Sequence, residues 1–118
     1  MLWFTENGTD KIGRMTTAGV STVHDECTLA TNSSPWGIAL GPGPDGNIWF
    51  TENGRNNIGR INPATTNLDT YTCTEYPMFN SGSNPHGITA GPDGNIWFTE
   101  FGAMPDQIGV FDLSFVMP

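Results

Sequence analysis

The stretch Ile96-Trp97-Phe98-Thr99-Glu100-Phe101-Gly102 is one of three near-identical copies of the same seven-residue pattern. Residues 48–54 read IWFTENG and residues 2–8 read LWFTENG. A second motif follows each copy in turn: KIGR at 11–14, NIGR at 57–60 and QIGV at 107–110. Motifs that recur in the same order at a nearly fixed spacing indicate a repeat protein.

A third motif, Pro-x-Gly-Ile, precedes the last two copies at residues 35–38 and 85–88. Between it and the Trp-Phe-Thr-Glu motif, residues 92–94 read Pro-Asp-Gly, which predicts a tight hairpin loop because Gly accepts a left-handed conformation. Short runs of aromatic and β-branched residues between turn residues predict four short antiparallel strands per repeat. Such a unit of about 40 to 50 residues is typical of a β-propeller blade.

The repeats divide the chain into one domain of about two and a half blades. We expect the second to fourth strands of one blade in residues 1–30, a complete blade in 35–76, and the first three strands of another in 85–118. The fourth strands of the first two blades are expected near residues 20–27 and 68–74. The last strand of the third blade is expected to be missing or reduced to residues 114–117. Because propellers close with about four to eight blades, the sequence predicts an all-β partial ring, completed by other copies or by the rest of a longer propeller.

Composition excludes some partners. The 118 residues carry 12 acidic and 4 basic side chains, a formal net charge of −8. A surface of this sign repels phosphate backbones and anionic lipids, so neither a nucleic-acid nor a membrane partner is expected. No apolar run approaches the roughly 18 residues that a membrane-spanning helix needs.

The joint pattern of residues 85–100, PHGITAGPDGNIWFTE, with NNIGRI at 56–61, resembles the blade repeat of the virginiamycin B lyase (streptogramin lyase) family. The resemblance covers the chain outside the fourth strands. It implies a seven-bladed propeller and a metal-dependent elimination that opens a cyclic depsipeptide antibiotic at its ester bond. It also implies Mg²⁺, glutamates that hold the metal and a histidine that acts as base or acid.

Carried over by position, the resemblance assigns His86 as the catalytic residue and Glu100 as a metal ligand. Asn84 stands where a second metal-binding Glu is expected, and Trp36 where a second functional His is expected. We therefore assign Trp36 and Asn84 to substrate binding. A non-catalytic propeller used for binding or assembly is the main alternative, because these two positions lack the expected groups. A sugar-lactone hydrolase-like propeller with calcium is a third possibility.

The hairpin geometry gives a further expectation about His86 and Glu100. A loop centred on Asp93 places them directly opposite each other, with Cβ atoms about 4.5–5.5 Å apart. A carboxylate there could share a cation with the imidazole. The structural interpretation stays open, since Glu6 and Glu52 occupy the equivalent position in the other repeats.

The two cysteines, Cys27 and Cys73, each follow the Trp of their repeat by 24 residues. Equivalent positions on the outer strands of adjacent blades should be farther apart than the ~7 Å between Cα atoms that a disulfide allows. The sequence therefore predicts that they are not bonded to each other.

Overall fold

The structure is a computed structural model that describes residues 2–15, 17–19, 27–42, 46–62, 73–77, 82–102 and 106–113. These residues form ten strands and contain no α-helix, and among them no helix is long and apolar enough to cross a membrane. The strands are β1 (Leu2–Glu6), β2 (Lys11–Met15), β3 (Cys27–Thr28), β4 (Pro35–Leu40), β5 (Ile48–Glu52), β6 (Asn57–Ile61), β7 (Cys73–Pro77), β8 (Pro85–Ala90), β9 (Ile96–Glu100) and β10 (Gln107–Phe111).

The strands form three antiparallel sheets that follow the order of the chain. The first sheet is β1-β2-β3, the second is β4-β5-β6-β7 and the third is β8-β9-β10. The hairpin loop before β9 contains Gly94 with φ of 83°, the left-handed conformation that the Pro-Asp-Gly motif predicts. The predicted all-β chain of short antiparallel sheets is confirmed.

The sheets pack face to face through two apolar layers. Side chains alternate between the two faces of a strand, so each sheet has a forward face, towards the next sheet along the chain, and a rear face. On the second sheet, Phe50 faces rearward and is buried against Ile12 of the first sheet. Trp49 faces forward and is buried against Ile96 and Phe98 of the third sheet.

The glycine of the second motif is required by this packing. The Phe50 ring of β5 lies directly against Gly59 of β6, where any side chain would collide with it. The same contact joins Phe4 to Gly13 in the first sheet, and Phe98 to Gly109 in the third. Because each ring packs over a glycine, which has no side chain, neighbouring sheets can pack closely against each other.

The outer strands are described only in part. We expected the fourth strand of the second blade near residues 68–74, and the structure has β7 at Cys73–Pro77. The strand expected near residues 20–27 is seen only as Cys27–Thr28. The other residues of these two expected strands, and residues 114–117, lie outside the described residues.

Cys27 and Cys73 form a disulfide, with Cα atoms 6.1 Å apart, so the prediction of unbonded cysteines is wrong. Equal spacing from the tryptophans does not make the two positions equivalent. Cys27 pairs with Ile12, whereas the equivalent Ile58 pairs with Tyr76, three residues beyond Cys73. An odd shift in register turns a side chain to the other face. Cys27 therefore faces forward and Cys73 rearward, towards each other.

Candidate functional site

A β-bulge displaces His86 from its predicted partner. Pro85 pairs with Glu100, but the register shifts before Ile88 pairs with Phe98. The expected direct opposition of His86 and Glu100 is therefore wrong by one residue. The physical reason is the extra residue that the bulge inserts into β8; within this interval the Gly87 N–H donates to the Thr99 hydroxyl, at 2.9 Å. This side-chain bond satisfies a backbone amide within the bulge, and the bulge re-aims the neighbouring residue.

His86 lies at the end of β8 in contact with two exposed aromatic rings. Its ring centroid is 4.5 Å from that of Trp36 and 5.9 Å from that of Phe101. Trp36 and His86 hold the same place in successive sheets, and the packing of β4 against β8 brings them together. We call Trp36, His86 and Phe101 the aromatic cluster. It presents a half-buried imidazole beside two apolar surfaces.

Asn84 lies at the join between the second and third sheets. Its backbone N–H donates to Asn56 Oδ1 at 2.9 Å, its carbonyl accepts from the Phe101 N–H, and its side-chain amide lies directly over Gly102. In the preceding join Asp10 accepts the backbone N–H groups of Ser34 and Asn32, which hold the pKa of Asp10 below its usual value. Asn84, like Ser34 in the preceding join, thus lies at a position whose backbone N–H connects neighbouring sheets.

The carboxyl group of Glu100 is buried between the second and third sheets. It lies beside Gly109 of β10, on the outer side of β9, whereas His86 belongs to the inner strand β8. Glu6 has the same arrangement with Gly13 in the first sheet. A glutamate folded over the next strand is therefore a shared feature of these sheets, which favours the structural interpretation of this position.

These residues do not by themselves fit a magnesium ion. Mg²⁺ requires near-octahedral oxygen coordination, usually with one or two carboxylates and several waters. Glu100 is a single buried carboxylate, and Asn84 offers an amide that packs on Gly102. Within the described ranges no group of three or more His, Cys, Asp or Glu side chains is placed to hold a metal ion.

The equivalent glutamate of the second sheet, Glu52, is completely buried on the rear face. Neither of its carboxyl oxygens makes a hydrogen bond of normal geometry, although Ser33, Asn57 and Glu75 lie close enough to interact with it. Burial, reinforced by the Glu75 carboxyl on the outermost strand β7, raises the pKa of Glu52 to about 8. Burial therefore favours the protonated form of Glu52 in the folded protein.

This raised pKa predicts a pH-dependent stability. The folded state binds the Glu52 proton more tightly than the unfolded chain, so the free energy of unfolding should fall as pH rises from about 4.5 towards about 8. The Glu52→Gln variant, which mimics the neutral acid, should flatten this decline. Urea denaturation between pH 4.5 and 8 measures this decline. Glu75→Gln, which removes the exposed carboxyl that reinforces the raised pKa of Glu52, is the companion variant. Identical slopes for wild type and Glu52→Gln would contradict the assignment.

Phe101 is a member of the cluster that the motifs did not single out. The first two copies have Asn at this position, and the side-chain amides of Asn7 and Asn53 donate to the Pro35 and Pro85 carbonyls of the following sheet. Phe101 cannot make this bond and contacts His86 instead. The departure from the repeat was the signal in the sequence that could have identified it.

A cavity of about 380 Å³ lies at the other end of the strands, between the first and second sheets. Its lining includes Leu2, Leu40 and Ile48. None of the residues assigned to the site from the sequence lines this cavity. The aromatic cluster is thus an exposed surface at one end of the inner strands rather than the wall of this cavity.

Comparison with known proteins identifies the repeat. The model of the virginiamycin B lyase family matches residues 1–114. The crystal structure of a catalytically inactive virginiamycin B lyase variant from Staphylococcus aureus with quinupristin is 41% identical, with a TM-score of 0.69, and the match covers 93% of this chain and 36% of that one. The selenomethionine-substituted enzyme from the same organism is 35% identical, with a TM-score of 0.72 and the same coverage.

A streptogramin B lyase structure is 37% identical, with a TM-score of 0.69, over 94% of this chain and 36% of that chain. The comparison with curated protein sequences found no match. The chain thus spans about a third of the length of these lyases, as a partial propeller. With a family model that matches nearly all of its residues, the chain belongs to the virginiamycin B lyase family.

Proposed function

We propose that the chain supplies the catalytic histidine of a lyase that opens a cyclic depsipeptide by elimination at its ester bond. The observation that carries the proposal is the aromatic cluster, in which the half-buried imidazole of His86 lies beside the exposed rings of Trp36 and Phe101. An imidazole in this setting can reach a bound molecule, and the two rings offer apolar surface to a cyclic peptide.

The reaction requires a base, and His86 is the side chain of the cluster that can act as one. A nitrogen of the neutral imidazole removes a proton from the carbon next to a carbonyl group. The carbon–oxygen bond of the ester then breaks, a carbon–carbon double bond forms, and the ester carboxylate departs with the bonding electrons. The ring becomes a linear molecule of unchanged composition, and the imidazolium later loses its proton to solvent. Trp36 and Asn84 are proposed to contact the substrate.

Magnesium binding is proposed only for the complete propeller ring, because the described residues of this chain do not by themselves form a magnesium site. Glu100 is the residue of this chain proposed to serve as a ligand, and further oxygen ligands would have to come from other blades. A metal dependence of the activity is therefore expected in the assembled protein. Loss of activity on chelation, with recovery on adding Mg²⁺, supports this part of the proposal.

Quinupristin, the compound present in one of the related structures, is the first substrate to test. Incubation with the protein should give a linear product of the same mass, because elimination adds no water. His86→Ala should lower the rate at least about a hundredfold, the range for loss of a general base. His24→Ala, which changes the only other histidine of the chain, is the matched control and should retain the rate. Unchanged turnover in His86→Ala overturns the role of His86, and a product heavier by one water indicates a hydrolase instead.

A non-catalytic binding module is the second candidate function. It is favoured by two positions that lack the catalytic groups expected from the family resemblance: Asn84 packs on Gly102, and Trp36 packs on His86. Tight binding of quinupristin without any turnover, lost in Trp36→Ala, would support this candidate against the lyase.

We propose a second copy of the chain as its partner. On the third sheet, Trp97, Ile108 and Val110 are exposed on the forward face, although their counterparts on the second sheet lie under the third sheet. The first sheet leaves Leu2 exposed and Phe4 half-buried at the places where Ile48 and Phe50 are buried. Both faces thus present apolar side chains that a second copy can cover. We propose this head-to-tail contact, which predicts a discrete oligomer if the rotation closes a ring.

A further inference from the structure

The buried hydroxyl group of Thr51 joins the backbones of the residues that form the aromatic cluster. Thr51 Oγ1 accepts the Gly37 N–H of β4 at 2.9 Å and donates to the His86 carbonyl of β8 at 2.8 Å. Both capacities of one hydroxyl, as acceptor and as donor, are thus used between two sheets. The side chain has no exposed surface, so water does not compete for these bonds.

The same connection extends into the neighbouring sheets. Thr5 Oγ1 donates to the Trp36 carbonyl at 3.0 Å, and the Gly87 N–H donates to Thr99 Oγ1. The peptide group between Trp36 and Gly37 therefore lies between two threonine hydroxyls, and so does the peptide group between His86 and Gly87. A continuous line of hydrogen bonds, hydroxyl to peptide to hydroxyl, crosses all three sheets.

This line of bonds passes through the two β-bulges. The register of the inner strands shifts between Pro35 and Ile38 and again between Pro85 and Ile88, and the hydroxyls bond to peptide groups inside these intervals. Gly37 is also necessary there, because the His86 carbonyl lies where a side chain on Gly37 would be. The place of His86 relative to Trp36 is thus defined by one hydroxyl and one close backbone contact.

We propose that Thr51 is a positioning residue, whose hydroxyl holds the His86–Gly87 peptide group against β4 and so keeps the His86 imidazole beside Trp36. The positional part of this inference stands on the two hydrogen bonds alone. Its consequence for turnover rests on the proposed function, in which His86 is the base. Because a displaced catalytic group loses rate steeply, misplacement by about 1 Å can reduce turnover on the order of a hundredfold.

The test compares Thr51→Val, which keeps the shape and removes the hydroxyl, with Thr51→Ser, which retains it. Thr89→Val is the matched control, since it makes the same change at an exposed residue of His86's own strand whose side chain bonds to no described residue. The first measurement is the NMR resonance of the His86 ring protons, which the nearby Trp36 ring shifts through its ring current. The second is kcat and KM for quinupristin opening.

We expect Thr51→Val to move the His86 resonance towards the value of a free histidine, while Thr51→Ser and Thr89→Val keep it. In the active protein, Thr51→Val should lower kcat about ten- to a hundredfold with little change in KM, and Thr51→Ser should restore it. If the wild type opens no substrate but the resonance shifts as expected, the positioning role stands and the lyase proposal fails. A resonance and a kcat that are unchanged in Thr51→Val overturn the positioning role.

Discussion

Replacement of Trp49 by alanine is expected to lower the free energy of unfolding by about 3–5 kcal/mol, the usual range for an aromatic residue removed from a packed core. Trp49 is 1% exposed. Its ring packs on Tyr76, at 6.1 Å between centroids, and on Phe111 at 5.6 Å, and the Arg60 guanidinium lies 5.9 Å from its centre. Neighbouring side chains have little freedom to fill the space left by the Trp49 ring, because the sheets on both sides of it are already closely packed.

Trp97 provides the matched control for this experiment. It has the same place in the third sheet, but it is 36% exposed, with its indole N–H donating to Asp93 at 3.0 Å. In a single isolated chain, Trp97→Ala should therefore reduce stability less than half as much as Trp49→Ala. Urea denaturation followed by circular dichroism measures both values, and equal losses in a monomeric protein would contradict the assigned packing.

The same variant tests the proposed head-to-tail assembly. If a second copy covers Trp97, the wild type should run as a discrete oligomer in size exclusion with light scattering, and Trp97→Ala should dissociate it. A wild-type protein that is monomeric at all concentrations overturns the assembly proposal.

Loss of the Cys27–Cys73 disulfide is expected to produce the second large effect. The bond spans 46 residues and joins the first sheet to the outermost strand of the second. Closing a loop of this length lowers the entropy of the unfolded chain by an amount worth about 4 kcal/mol. Among the described residues, the other connections between these two sheets are side-chain packing and a few hydrogen bonds.

The double variant Cys27→Ser/Cys73→Ser should unfold at a clearly lower urea concentration than the oxidised wild type. Reduced wild-type protein should behave like the variant, which separates the effect of the bond from that of the substitutions. Intact mass before and after reduction checks the bond itself, since reduction adds two hydrogens. An unchanged mass would show that the bond does not form, and equal stability of oxidised and reduced protein would show that it does not stabilise the fold.

Much of the fold was predictable from local sequence. Turn residues such as Gly94 and the alternation in Ile96–Glu100 act over a few residues, so they can be recognised without knowledge of distant contacts. The outer strands were less predictable because their sequences do not repeat. β3 and β7 pair three residues out of step, and this shift reversed the conclusion about the cysteines.

The candidate site was predicted in part. The Pro-x-Gly motif led to His86 and Trp36, which the structure brings into contact. The expected pairing of His86 with Glu100 failed because the hairpin was assumed to be regular throughout. A bulge adds one residue to a strand, and the threonine hydroxyl that bonds inside it lies on the partner strand, which spacing alone does not show.

The amino-acid sequence by itself determined the repeat, the short antiparallel sheets and the family, because each of these depends on motifs read along the chain. Only the tertiary structure decided which faces meet. It brought Cys27 to Cys73 and placed the Thr51 hydroxyl between β4 and β8. It also turned Glu52 into a buried acid with a raised pKa. These features arise between sheets, where strand register and sheet stacking set the distances. None of the three can be read from a single repeat.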